Sequence, residues 1–363
     1  CRHRLLFIHR YTDCRIIPHL LRPLFFLRFF LYTIRIMAEL LAPAGNTEAL
    51  DAAIGEGADA VYLGLKSFNA RLRSSNFAWN QFEAAVDAVH RLGKKIYVTV
   101  NTVCEEHETE KLYRLLCYLD RVKPDGLIVQ DFAVIRMAQE FFPSMELHAS
   151  TQMNVESAAG VNLLSREGVK RVVLARELGL DEIKSIKAAT TAELEVFVHG
   201  ALCVSESGLC LFSSFLGGKS ANRGMCTQAC RRYYAAEKSS GISEGYYFSP
   251  CDLELISKIP DLEEAGVASF KIEGRMKSVH YCATVAKVYR TAIDTYLKEG
   301  KDWYVRPEWI AELEKISHRP YTDGFAEGRP DETAQNYGKS TNTQSHDFIG
   351  LVMGYNEEEK YVD

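Results

Sequence analysis

Two catalytic signatures are missing from this 363-residue chain. No H-E-x-x-H occurs; the nearest approach, "HETE" at 107–110, lacks the second histidine that a zinc-protease helix needs. No G-x-G-x-x-G follows any early strand candidate, and "GLKSFNARL" is simply the turn after the second one. The first 36 residues contain no glycine, alanine or serine, so the small-residue cleavage site of a secretory signal is absent. Arg22, Arg28 and Arg35 cut the apolar runs there well short of the roughly 20 residues a membrane span needs. Acid is scarce in the same segment, where seven arginines face one aspartate. Removing this local +6 from the formal −5 leaves −11 for residues 37–363. The break in composition reads as an Arg-rich targeting peptide or as an extraneous extension preceding a true start at Met37. The second is expected, and residues 1–36 are set aside as extraneous or disordered.

What remains is ordinary for a globular protein, with 47% apolar and 25% charged residues over a length that can bury a sizeable core. Short apolar runs alternate with longer helical patterns. The strand candidates are 39–43, 60–64, 95–101, 126–130, 146–150, 171–175, 194–200 and 268–274, each continuously apolar as buried parallel strands are. Between them, 46–58, 80–93, 156–169 and 177–189 carry apolar residues at helical spacing, with Asn46 and Thr47 as cap candidates. A last long helix is expected over 281–300. Eight strands in βα alternation predict an α/β fold, a (β/α)8 TIM-barrel-like domain over 37–325, more readily than an open doubly wound sheet. A cysteine-rich insertion (201–265) follows the seventh strand. Residues 326–363 read as a polar linker and the opening of a small, truncated β unit.

A barrel places chemistry at the carboxyl ends of its strands. Polar residues expected there are Asn101, Gln130, Asp131, His148, Ser150, Gln152, His199, Lys271, Glu273 and Arg275. Of these, His148, Gln152, His199 and Glu273 are the catalytic candidates. Each also has a plainer reading as a loop cap, and Glu273 with Arg275 or Lys271 as a structural ion pair.

Ten cysteines without a signal peptide point to a reducing cytoplasm, not to a disulfide framework. Four of them, Cys203, Cys210, Cys226 and Cys230, share one 28-residue stretch with the spacing C-x6-C-x15-C-x3-C. Structural zinc favours two tight pairs, and only the second pair is tight. A 4Fe–4S cluster takes four thiolates and tolerates such spacing. Iron–sulfur, zinc and unliganded buried thiols all stay open on chemistry alone. Gly200, Gly208, Gly217, Gly218 and Gly224 would let the backbone pass close to a bulky cofactor. Cys104, Cys117 and Cys282 read as packing, and Cys251 as a substitute ligand.

Several motifs carry a family resemblance. "EVFVHGALCVSESGLCLFS" (195–213) resembles the signature of the U32 family, long labelled collagenase-like peptidases. "ELLAPAGN", "GADAVYLG", "HASTQM", "VVLAREL", "SANRGMCTQACR", "SFKIEGRMKS" and "SHRPYTDGF" extend the match over about residues 38–325 in the family's order. The resemblance implies oxygen-independent hydroxylation of bases in tRNA or rRNA. It also implies a 4Fe–4S cluster on Cys203, Cys210, Cys226 and Cys230, prephenate as a co-substrate, and a protein partner of the same family. Backbone contacts to RNA would come from Arg71, Arg73 and Arg223, with Lys219, Arg231 and Arg232 around the cysteines, and substrate contacts from Asn101, Lys271 and Arg275. The alternative use of those arginines is to tie down the insertion. Two other functions stay in view: a U32-type peptidase, which would need His199 beside Cys203 or Ser205, and a non-catalytic metal scaffold. Cytoplasmic location and no membrane partner are expected.

Overall fold

A computed structural model describes residues 37–238, 241–340, 342, 355–356 and 361–362. The N-terminal 36 residues and most of the C-terminal β unit therefore lie outside the described residues. Seven strands, β1 Glu39–Pro43, β2 Ala60–Gly64, β3 Lys95–Val100, β4 Gly126–Val129, β5 Leu147–Ala149, β6 Val169–Val173 and β7 Glu193–Ala201, pair in parallel in chain order. After β8 Tyr234–Lys238, β9 Gly241–Gly245 and β10 Asp252–Glu254 comes β11 Ser269–Ile272, which pairs with both β1 and β7. That double pairing closes an eight-stranded parallel barrel, and the α/β barrel expected from the alternation is what the chain forms.

Helices cover the outside. They are α1 Thr47–Gly55, α2 Trp79–Arg91, α3 Thr109–Val122, α4 Phe132–Phe141, α5 Ala158–Arg166 and α6 Leu180–Ala188, then α7 Phe212–Gly217 in the insertion and α8 Ile259–Glu264 before β11. The 21-residue α9 Val279–Glu299 buries Tyr281, Val285, Tyr289, Ala292 and Tyr296 along one face. Local chemistry starts several helices. Asn46 accepts from the Ala49 amide at 2.9 Å, Ser157 from Gly160 at 3.2 Å and Ser278 from Tyr281 at 3.2 Å.

The insertion is shorter than expected. β10 runs antiparallel to β7, with Asp252 opposite Ala201 and Glu254 opposite His199, and α8 is an ordinary barrel helix. Residues 252–265 thus belong to the barrel, and the insertion is 202–251, carrying the β8–β9 hairpin. In "CDLELI" the polar Asp252 is itself buried and accepts from Arg319 at 3.2 Å, so the strand reads as insertion although it is packed into the barrel. At the C-terminal end, Tyr355–Asn356 pairs antiparallel with Tyr361–Val362, a hairpin where one was expected.

The barrel lumen is half apolar and half ionic. Leu41, Ala60, Tyr62, Tyr97 and Ile128 form a buried cluster from β1 to β4. Opposite them, Arg171 of β6, Glu195 of β7 and Lys271 of β11 are buried, where Val, Ile and Leu usually dominate a barrel. Lys271 Nζ lies 2.6 Å from Glu195 Oε1 and 4.6 Å from the centre of the Tyr62 ring. Arg171 reaches Glu39 at 2.6 Å, Glu193 at 2.8 Å and Glu195 at 3.3 Å. Burial alone would raise the Glu195 carboxyl, yet Lys271 and Arg171 hold it down to about 2.

Candidate functional site

The C-terminal mouth of the barrel carries a polar network built on strand ends. Asn101, just past β3, accepts from the Ala70 amide at 3.1 Å and donates to Ser150 Oγ at 3.4 Å. Arg275, just past β11, is buried and donates to Thr99 Oγ1 at 2.9 Å and Asn69 Oδ1 at 3.4 Å. Burial and the neighbouring Arg71 pull its guanidinium down to about 10. Arg71 itself pairs with Glu273 at 3.3 Å. Burial would raise the Glu273 carboxyl, but Arg71, Arg275, Arg176 and Lys271 together lower it. Three guanidinium groups past strand ends, Arg71, Arg176 and Arg275, thus act on this one carboxylate. Gln130 Nε2 donates to the Gln152 carbonyl at 3.4 Å, while Gln130 Oε1, Gln152 Oε1 and Arg176 Nε are buried with no hydrogen-bond partner among the described residues. Such atoms are costly unless a ligand or water meets them.

Not every expected residue stands here. His148 is fully buried, with its ring 4.6 Å from Tyr97 and its Nε2 2.9 Å from Glu146, which precedes β5. It therefore lies low in the lumen, away from the mouth. Lys271 is likewise a lumen residue, paired with Glu195. His199 is buried among the rings of Tyr281, Tyr289 and Tyr321 at 5.4–5.9 Å. Neither of its ring nitrogens has a partner among the described residues, so no dyad with Cys203 or Ser205 forms. Asp131 is a helix cap, accepting from Ala133 and Cys104 amides at 2.8 Å. Arg176, Asn69 and Thr99 were not singled out in the sequence. Arg176 directly follows the strand expected over 171–175, which was the available signal.

The insertion is fastened over this mouth. Arg223 forks onto Glu108 with two 2.9 Å bonds and lies 3.4 Å from Glu105. Its hydrogen bonds hold the Glu108 carboxyl down to about 2. Arg231 is spent on Ser249 Oγ and on the Pro250 and Leu202 carbonyls at 2.6–3.0 Å. Arg73 donates to the Cys226 carbonyl at 3.3 Å. Arg223 and Arg231 are thus structural ties. The glycines also act differently from expectation: Gly208 (φ +86°) lies against Gln152, where a Cβ would stand 2.5 Å from that residue's Cα, and Gly224 (φ +80°) presses on the Asn69 carbonyl. They bring the insertion onto the barrel loops, whereas Gly217 and Gly218 have open space where a Cβ would go. Gly224→Ala is expected to lift the insertion. Limited proteolysis should then cut within 202–251 at least several-fold faster while the barrel fragment survives.

All four clustered cysteines are free thiols, Cys203 exposed and the others half-buried. Burial raises the Cys230 thiol and Arg231 lowers it, while Cys203, Cys226 and Cys210, on the same 28-residue stretch, add to the rise. The Gln228 amide donates to Cys226 Sγ at 3.4 Å, as backbone donors do around thiolate centres. Among the described residues no three His, Cys, Asp or Glu side chains already stand at metal-holding separation. Cys251 is buried and donates to the Thr333 carbonyl at 3.6 Å. Cys282 is core packing, and Cys104 turns to the Thr102 carbonyl at 3.7 Å. No helix among the described residues is long and apolar enough to cross a membrane.

Comparison with known proteins places these features in a family. A tRNA hydroxylation protein of Bacillus subtilis is 38% identical over 89% of this chain and 79% of its own length. A 23S rRNA 5-hydroxycytidine synthase of Escherichia coli is 39% identical over 87% of this chain, which spans about half (48%) of that longer protein. A protein named collagenase in Porphyromonas gingivalis is 35% identical over 87% of this chain and 80% of its own. Residues 45–336 match the family model described as Peptidase family U32, and the chain belongs to that family.

Proposed function

We propose that this protein is an RNA-modifying enzyme that takes part in hydroxylating a base of tRNA or rRNA. It would hold a 4Fe–4S cluster on Cys203, Cys210, Cys226 and Cys230. The observation that carries the reading is the placement of four free, neighbouring thiols on an insertion fastened over the polar mouth of the barrel. The names of two relatives, a tRNA hydroxylation protein and an rRNA hydroxycytidine synthase, supply the reaction class. Four soft thiolate donors suit iron–sulfur chemistry, and loading the group would draw the thiols together. When bound, such a cluster supplies one-electron transfer.

The chain's own residues do the rest. Glu273, whose carboxyl the surrounding cations lower, serves as an acceptor for a base N–H. Gln130 and Gln152 offer unpaired carbonyl oxygens to the exocyclic amine of a flipped base. Prephenate, a dicarboxylate, suits the three guanidinium groups of Arg71, Arg176 and Arg275 gathered around Glu273. The peptidase alternative rests on relatives bearing protease names, and it lacks a nucleophile–base pair because His199 is sealed among tyrosines.

Anaerobic purification with iron and sulfide analysis tests the cofactor, and nucleoside mass spectrometry of cellular RNA tests the reaction. About four irons and four sulfides per chain are expected, lost in Cys226→Ala, with loss of one hydroxylated nucleoside in cells carrying that variant. One zinc and no sulfide would overturn the redox reading.

A further inference from the structure

Residues 207–236 contain no aspartate or glutamate, yet hold Lys219, Arg223, Arg231 and Arg232 in a chain of formal charge −5. Two of these cations are spent as ties, as described above. Lys219 and Arg232 are exposed and make no salt bridge among the described residues. Tyr234, two residues past Arg232, belongs to a row of rings. Phe212 of α7 stacks on Tyr234 at 5.8 Å and 20°, and both meet Phe248 edge-on at 5.4 and 5.5 Å. Phe215, three residues along the same helix and so on the same side, is 86% exposed. Arg232 lies close enough to the Tyr234 hydroxyl to act on its titration.

Phe215 is the most exposed of the large apolar side chains among the described residues, and Leu211 on the same segment is 69% exposed, so the ring belongs to an apolar surface and does not stand alone. Rings and cations on one segment, the cations without a salt bridge among the described residues and the segment without a carboxylate, match the stacking-plus-phosphate chemistry of single-stranded nucleic acid. We propose that this face of the insertion, Phe215 and the Phe212–Tyr234–Phe248 row with Lys219 and Arg232, binds the single-stranded RNA that flanks the target base. The inference rests on the RNA reading above and deepens it, since the insertion sits over the mouth where that base would enter. Phe215 offers a stacking surface to one base, and Lys219 and Arg232 neutralise the phosphates on either side.

The test is fluorescence anisotropy of the anaerobically purified full chain with a labelled 12-nucleotide single-stranded RNA, across a salt series. Phe215→Ala is expected to weaken binding about 5- to 150-fold. Lys219→Glu with Arg232→Glu should make the slope of log affinity against log salt shallower by about 1.4, two phosphate contacts' worth on a single strand. All three positions are exposed, and unchanged circular dichroism would confirm that folding is intact. If the native protein binds and both variants bind as tightly with the same slope, the surface assignment is overturned while the RNA reading stands. Failure of the native protein to bind any RNA overturns both. A native dimer that Phe215→Ala dissolves, with RNA affinity unchanged, makes the face a protein interface and overturns the proposal.

Discussion

Glu195→Ala is expected to cost about 3–5 kcal/mol of stability, the largest effect of any single change considered for this chain. Glu195 is fully buried, and its two oxygens receive Lys271 at 2.6 Å and Arg171 at 3.3 Å. Arg171 keeps Glu39 and Glu193 after the change, but Lys271 keeps no salt bridge among the described residues, resting on the faces of Tyr62 and Phe197 with Glu273 acting from beyond contact. An ammonium so placed must shed its proton or admit water, and either route loses free energy. Urea denaturation would read the effect as a fall in midpoint. Glu195→Leu with Lys271→Met should recover much of the loss, because removing both charges removes the desolvation cost with the attraction. The surface tie behaves differently: Arg223→Ala exposes partners that already meet water, and about 1 kcal/mol or less is expected. Equal losses at Glu195 and Arg223 would contradict the assignment of the lumen as a closed ionic compartment.

His199→Phe should change the acid limb of the stability curve. Burial pushes the imidazole down to about 3, with Asp252 pulling the other way and Lys277 and His318 adding to the fall. The ordinary value near 6.5 applies to the unfolded chain, so between pH 6.5 and 3 the unfolded state binds a proton that the folded state refuses. Stability at this residue is therefore lost as pH falls through that window, at about 1.4 kcal/mol per pH unit. A phenylalanine fits the tyrosine cage, gives up no hydrogen bond and takes no proton. At pH 4.5 the variant should gain roughly 2–3 kcal/mol on the native protein relative to the comparison at pH 7.5. Urea midpoints at the two pH values decide it. An unchanged pH dependence would mean that the buried ring is protonated in the fold.

The two experiments touch what the sequence hid. All eight barrel strands were legible because parallel strands buried on both faces read as apolar runs. The start of β6 was not. The apolar pattern begins at Arg171, whereas the strand begins at Val169, because Arg171 points into the lumen and looks like a flank. The same blindness put Lys271 and His148 at the mouth. A charged residue in a strand can face a ligand or a partner across the barrel, and one sequence does not say which. The four cysteines were legible because thiols are rare and their clustering is one-dimensional. The uses of Arg223 and Arg231 were not, since their partners Glu108 and Ser249 lie 115 and 18 residues away.

The antiparallel pairing of Ala201 with Asp252 has a consequence for how this family can vary. The chain leaves the barrel and returns to it at a single rung of the ladder. The roughly 50 residues between form a closed loop whose ends are already joined, and the entropy of such a loop grows only slowly with its length. Residues can be added to the thiol-bearing arm, or removed from it, without shifting the register of any barrel strand. The scaffold and the arm can therefore diverge at different rates, one held by packing and the other free to be refitted to a new substrate.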